Sequence, residues 1–254
     1  MYRFKTALYL GSEKNQQSTS SNHRGTIMAE INHRDRRADV KIVYYGPAYA
    51  GKTTSLQYLF NNMDPKFRRG ELLTTLPPLR SDGDRTLFFD VLPMQEVLAG
   101  GIRVAFKLWT LPGQPQMDGT RKVVVRNADA VAFIADSQYD RAIANLENFV
   151  DLQQNLREQD RCLKGFENDT GNHGLLPMPW VLFYNKRDMD AEALMPVSYM
   201  DLMFEVQQRN ILRYYGSCLT GENVFRTANM LLYRAVEDGV LSQLRARQNS
   251  RPAE

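Results

Sequence analysis

The sequence predicts an α/β fold in which a mainly parallel sheet carries helices on both faces. Two observations predict it. Short apolar runs alternate with segments of helical period along most of the chain, and the first such run ends in a glycine-rich turn that opens directly into a helix. Strands covered on both faces read as continuous apolar runs, because neither side chain direction meets water.

Taken in order, residues 40–45 (Val-Lys-Ile-Val-Tyr-Tyr) are β-branched and aromatic and stop at Gly46, which reads as a buried strand. Residues 53–63 read as a helix, with Leu56, Leu59, Phe60 and Met63 on one face. Pro77-Pro78 and Ser81-Asp82-Gly83-Asp84 mark 65–84 as a loop. Residues 86–93 and 102–109 read as a hairpin joined by a turn containing Gly100-Gly101. Further strands are expected at 130–135, at 180–184 and, on a weaker signal, at 215–219. Helical patterns fill 120–126, 141–157, 197–208 and 223–245. Two regions fall outside the alternation: residues 1–39, without a periodic signal, and 158–179, a polar insertion of a length that is usually functional or disordered. Residues 246–254 read as a flexible tail.

Composition sets the bounds. With 254 residues, 43% hydrophobic and 24% charged, the chain has room for one domain with extensions. No apolar run has the length of a membrane span, and Ala7-Leu8-Tyr9-Leu10 is too short for a secretory signal. Two cysteines, Cys162 and Cys218, make no disulfide framework, so a cytoplasmic, reducing location is expected. The net charge of +3 comes entirely from residues 1–39. That segment reads as a solvated, disordered basic arm open to weak contact with an anionic membrane surface; no nucleic-acid partner is expected.

The turn after the first strand is Gly46-Pro47-Ala48-Tyr49-Ala50-Gly51-Lys52-Thr53, a phosphate-cradling pattern in its proper strand–loop–helix context. Backbone N–H groups of the loop, including those of Ala48, Ala50, Gly51 and Thr54, and the positive end of the helix would hold a polyphosphate. Lys52 would bridge its β- and γ-phosphates and Thr53 would place a hydroxyl on Mg²⁺. Far along the chain, Asn185-Lys186-Arg187-Asp188 follows another buried strand. Asp188 can accept hydrogen bonds from guanine N1–H and its exocyclic amine, a donor pair adenine lacks. Asn185 can reach the N7 edge and tether the phosphate loop, and the Lys186 stem can cover the base. Ser217-Cys218-Leu219 would supply a backbone N–H to guanine O6, although Cys218 reads equally as an apolar filler. Together the two motifs imply GTP or GDP with Mg²⁺.

Thr110-Leu111-Pro112-Gly113-Gln114 stands where such domains carry an Asp-x-x-Gly motif, with threonine in place of the aspartate. Gly113 can offer its N–H to the γ-phosphate and Gln114 can orient the attacking water. With Asp84-Arg85-Thr86-Leu87-Phe88-Phe89-Asp90, Lys41-Ile42-Val43-Tyr44-Tyr45-Gly46-Pro47, Ala135-Asp136-Ser137 and Tyr184-Asn185-Lys186-Arg187-Asp188, the chain resembles the MglA group of bacterial Ras-like GTPases over residues 40–245. The resemblance implies a six-stranded Ras-like P-loop NTPase domain that hydrolyses GTP slowly alone. It implies Thr86 as a second Mg²⁺ ligand, Arg85 as an arginine finger supplied in cis, and Gln114 as the catalytic glutamine. It implies a roadblock-domain, MglB-like activating partner, effectors bound in the GTP state, a role in cell polarity or gliding motility, and a second strand that changes register between nucleotide states. From the residues alone, Arg85 reads as readily as a surface ion pair, and Leu87, Phe88 and Phe89 as a doubly buried strand.

Three departures from the group stand out. Ala48 occupies a loop position usually held by glycine, where its methyl can crowd the γ-phosphate. Pro115-Gln116-Met117 replaces a more aromatic stretch, and the insertion and both tails are additions, with Met28 at the distance where family chains commonly begin. Ala48 and Thr110 keep open a scaffold that holds nucleotide with negligible hydrolysis. A P-loop kinase is a further alternative, against which Asn185 and Asp188 argue.

Overall fold

The computed structural model describes residues 31–67, 91–94, 97–110 and 118–249, and among these described residues are ten strands and six α-helices. The strands are β1 (Ile31–Asn32), β2 (Arg37–Tyr45), β3 (Val91–Pro93), β4 (Val97–Ala99), β5 (Ile102–Thr110), β6 (Ala130–Asp136), β7 (Arg161–Leu163), β8 (Leu176–Met178), β9 (Trp180–Asn185) and β10 (Arg213–Tyr215). The helices are α1 (Lys52–Asn62), α2 (Asp118–Val125), α3 (Ala142–Arg157), α4 (Val197–Met203), α5 (Val224–Arg234) and α6 (Ser242–Asn249). The expected six strands form the path β10-β9-β6-β2-β5-β3, to which β1 adds at β2 and β4 at β5. β10, β9, β6, β2 and β5 run parallel; β1, β3 and β4 pair antiparallel with their neighbours. This is the Ras-like α/β architecture.

Each central strand feeds two cores. Ile42 and Tyr44 of β2, Leu108 of β5, Ile134 of β6 and Phe183 of β9 pack with Leu56 and Leu59 of α1 and Leu231 of α5. The intervening residues Val43, Tyr45, Phe133, Ala135 and Tyr184 face the opposite way, onto Phe149, Leu152 and Leu156 of α3 and Val125 of α2. All seven residues of β6 are buried, as a strand with helices on both faces requires.

The differences from expectation have local causes. Residues 31–39, expected ahead of the first strand, include β1 and the start of β2: Ile31 pairs with Ala38, and the charges of Arg37 and Asp39 hide the strand period. The insertion 158–179 contains β7 and β8, a two-stranded parallel sheet. Its Phe166 packs on Phe149 and Trp180, and the Arg209 guanidinium lies 4.0 Å over the Phe166 ring while pairing with Asp169 at 2.7 Å. The last strand is earlier than expected, because Arg213 carries a bidentate pair with Asp201 (2.7 and 2.8 Å) that breaks the apolar run, and Gly216–Leu219 is loop. α4 stops at Met203, where the chain turns through left-handed Glu205 and Asn210. The C-terminal helix runs beyond 245, passing from α5 through a π-helical segment, Ala235–Leu241, into α6, so residues 246–249 of the expected tail are helical.

Candidate functional site

The loop between β2 and α1 is shaped by two close approaches. Gly46 has φ +134°, and a Cβ there would stand 2.2 Å from the Ile134 carbonyl oxygen; Gly51 has φ +98°, and a Cβ would stand 2.1 Å from Asn185 Nδ2. Only glycine satisfies both the backbone and the space. Between them, Ala48 is half-buried and Ala50 fully buried, while Tyr49 is 81% exposed with φ +64°. An L-residue in that region costs about 1–2 kcal/mol, so the loop holds it against local preference.

Lys52 begins α1, and its ammonium turns back into the loop, donating to the carbonyl oxygens of Gly46 (2.9 Å) and Pro47 (2.6 Å). The side chain is buried, which, with the nearby positive charge of Arg121, lowers its pKa to about 7. Among the described residues no carboxylate pairs with it. A buried cation met only by neutral carbonyls suits a polyphosphate, so the donor set fits the implied nucleotide. Thr53 is exposed and Thr54 half-buried on the first turn. Thr53 supplies a neutral hydroxyl, suited to a magnesium ion that takes its remaining oxygens from phosphate and water.

Asn185, at the end of β9, joins two loops through one amide. Its Nδ2 donates to Ala50 O at 2.6 Å and its Oδ1 accepts from Cys218 N–H at 2.7 Å. Lys186, left-handed at φ +68°, places Nζ 2.6 Å from Asp136 Oδ2 and 2.9 Å from Gln138 Oε1. Asp188 is exposed and forms no ion pair among the described residues. The three N–H groups expected near guanine O6 all have acceptors: Ser217 N–H bonds Glu222 O, Cys218 N–H bonds Asn185, and Leu219 N–H bonds Ser217 Oγ. A bond from this loop to the base would share or replace one of them. Cys218 is buried, and burial pushes its thiol up to about 12. Thr110 ends β5 and is buried. Arg85, Thr86, Gly113 and Gln114, and with them the register question at Leu87–Phe89, lie outside the described residues.

The structure adds residues to which the sequence assigns no role. Asp136, fully buried at the end of β6, pairs with Lys186 and lies 3.8 Å from Arg141 Nε; Arg141 in turn donates to Ala48 O at 2.9 Å. A carboxylate closing an otherwise apolar strand, at the sheet edge where α/β folds bind ligands, was the available signal for Asp136. Arg141 carried none. At the root of the loop, the Tyr45 hydroxyl bonds Asp151, which also pairs with Arg121 of α2 at 3.1 Å.

No family model matches the chain. It is 37% identical over 218 residues to the mutual gliding-motility protein MglA of Myxococcus xanthus (strain DK1622), a match that covers 86% of this chain and 98% of the relative.

Proposed function

This chain belongs to the MglA-type bacterial small Ras-like GTPases, and from that premise we propose that it is a GTP-binding switch that hydrolyses GTP and engages effectors in the GTP state. The observation that carries the reading is Lys52: a buried cation at the base of a glycine-shaped loop, with carbonyls in place of an acid, and with Asn185 tying that loop to the base-reading segment. In this reading Lys52 and the loop N–H groups of Ala48, Ala50, Gly51 and Thr54 hold the phosphates, with Gly46 giving the backbone its approach. Asp188 selects guanine, Asn185 and Lys186 position it, and the 217–219 loop closes over it. Thr53 and Thr86 would hold Mg²⁺, which would supply charge neutralisation at the phosphates. Gly113 binds the γ-phosphate, Gln114 orients water for in-line attack, and Arg85 stabilises the charge that develops on the phosphoryl oxygens. An arginine in that role is worth about 10³–10⁵ in rate, which is why a roadblock-domain partner that seats Arg85 would act as an activator. The relative's name supports a role in gliding motility, and the family resemblance extends the proposal to cell polarity and a cytoplasmic location.

Single-turnover GTP hydrolysis with and without a roadblock-domain partner tests the reading. Slow intrinsic turnover, accelerated by partner and abolished by Arg85→Ala or Gln114→Ala, is expected. A near-zero rate unmoved by either partner or Arg85→Ala favours the scaffold, for which the half-buried Ala48 methyl in the loop is the specific observation. Asp188→Asn leaving GTP affinity untouched would remove the guanine assignment.

A further inference from the structure

Resting on the guanine-nucleotide reading, we propose that Arg141 is a positioning residue of the phosphate loop: it fixes the Ala48–Tyr49 peptide so that the Tyr49 N–H faces into the loop, toward a β-phosphate. Residues 47–50 form a turn closed by Ala50 N–H to Pro47 O, and a positive φ at Tyr49 with none at Ala48 gives it the type II form. Type II favours glycine at the position Tyr49 holds. Flipping the central peptide converts type II to type I, which accepts an L-residue without strain. The turn is therefore built against the preference of its own sequence.

Its internal restraints are weak. The closing hydrogen bond is 3.3 Å long, and its acceptor, Pro47 O, is shared with Lys52 Nζ at 2.6 Å. The Tyr49 side chain is 81% exposed, so packing does not hold it. The external restraint is Arg141, whose NH2 group donates to Ala48 O at 2.9 Å from a position 93 residues away in sequence. In a planar trans peptide the C=O and the following N–H point in opposite directions. Holding the Ala48 carbonyl outward thus turns the Tyr49 N–H inward. The guanidinium is itself held from behind by Asp136, whose side chain is fully buried and also anchored by Lys186 and by the N–H of Gln138 (3.1 Å).

The test compares wild type, Arg141→Met and Arg141→Met/Tyr49→Gly by displacement of a fluorescent GDP with GDP and with GMP, which lacks the β-phosphate. In Arg141→Met, GDP affinity is expected to fall about tenfold or more while GMP affinity stays within about twofold. Adding Tyr49→Gly is expected to restore most of the GDP affinity, since glycine takes the left-handed conformation without strain. A merely structural role for Arg141 would lower both nucleotides together and would not be rescued by glycine. The assignment is overturned if GDP binding is unchanged in Arg141→Met, if GDP and GMP fall in parallel, or if glycine restores nothing. Should Arg141→Met fail to fold, Arg141→Gln carries the same comparison, and an unchanged ratio of GDP to GMP affinity overturns the proposal. Wild type that binds no GDP overturns the nucleotide reading and this assignment with it, whereas wild-type binding with an unaffected variant overturns this assignment alone.

Discussion

The two ends of β6 handle buried cations differently. At its amino end, Asp129 is buried and accepts the Lys41 N–H at 2.6 Å, and its charge raises the pKa of both Lys41 and Arg161 against the lowering effect of burial. Lys41 also donates to Arg126 O and Arg161 to Ala128 O, so these cations are fastened to the chain itself. At its carboxyl end, Asp136 takes Lys186 and Arg141, and Asp151 takes Arg121, while Lys52 receives only two carbonyls and another positive charge nearby. Each of the other cations has a carboxylate's negative charge close by. The one left without an acid in the glycine loop is the one poised for an anion from solution.

The contrast predicts a graded set of outcomes. The largest effect is expected for Lys52→Met, with GTP and GDP affinity falling on the order of a thousandfold through loss of a buried charge–phosphate contact. The same change should leave the melting temperature of the nucleotide-free protein equal or higher, because it removes a poorly compensated buried charge. Nucleotide titration and thermal melting check the two halves, and a Lys52→Met protein that melts well below wild type breaks the comparison. Next, Asp129→Asn is expected to destabilise the fold by about 1–3 kcal/mol, since it weakens a charged acceptor of the Lys41 N–H and removes a negative charge near Lys41 and Arg161, yet to leave nucleotide affinity within about twofold. Denaturant unfolding and the same titration read it.

The smallest effect concerns the two cysteines, one in β7 beside Arg161 and one against the nucleotide loops. Burial pushes Cys162 up to about 11 and Cys218 up to about 12. Both therefore carry little thiolate at neutral pH, and native-state alkylation should be at least about a hundredfold slower than in the unfolded chain. Both should begin to react only as the pH rises well above neutral. A thiol whose folded pKa exceeds its unfolded value contributes stability that is fully present below the unfolded pKa and is lost as pH rises through about 9 to 12. Rapid labelling of native Cys218 at neutral pH would contradict its burial.

How much of this was legible depended on sequence distance. The loop 46–53 and the run 185–188 could be read because their chemistry is local, and β6 and β9 because burial on both faces makes their strands apolar. The three-residue strands β7, β8 and β10 are too short to establish a period, and in β10 Arg213 serves an ion pair with Asp201 of α4. Arg141 with Ala48 and Arg161 with Ala128 are unions of residues 93 and 33 positions apart, and no local pattern announces them. The N–H groups proposed to meet the base show a subtler gap: Ser217, Cys218 and Leu219 could be located, but their existing acceptors could not.

The two hydrogen bonds of the Asn185 side chain, to Ala50 and to Cys218, have a consequence in time. One rigid amide cannot release the 217–219 loop by moving outward without also loosening the phosphate loop. A shift of this side chain would loosen the proposed base and phosphate ends of the site together. A factor that pries at either loop would shorten the lifetime of the whole complex, and would need to touch only one of them.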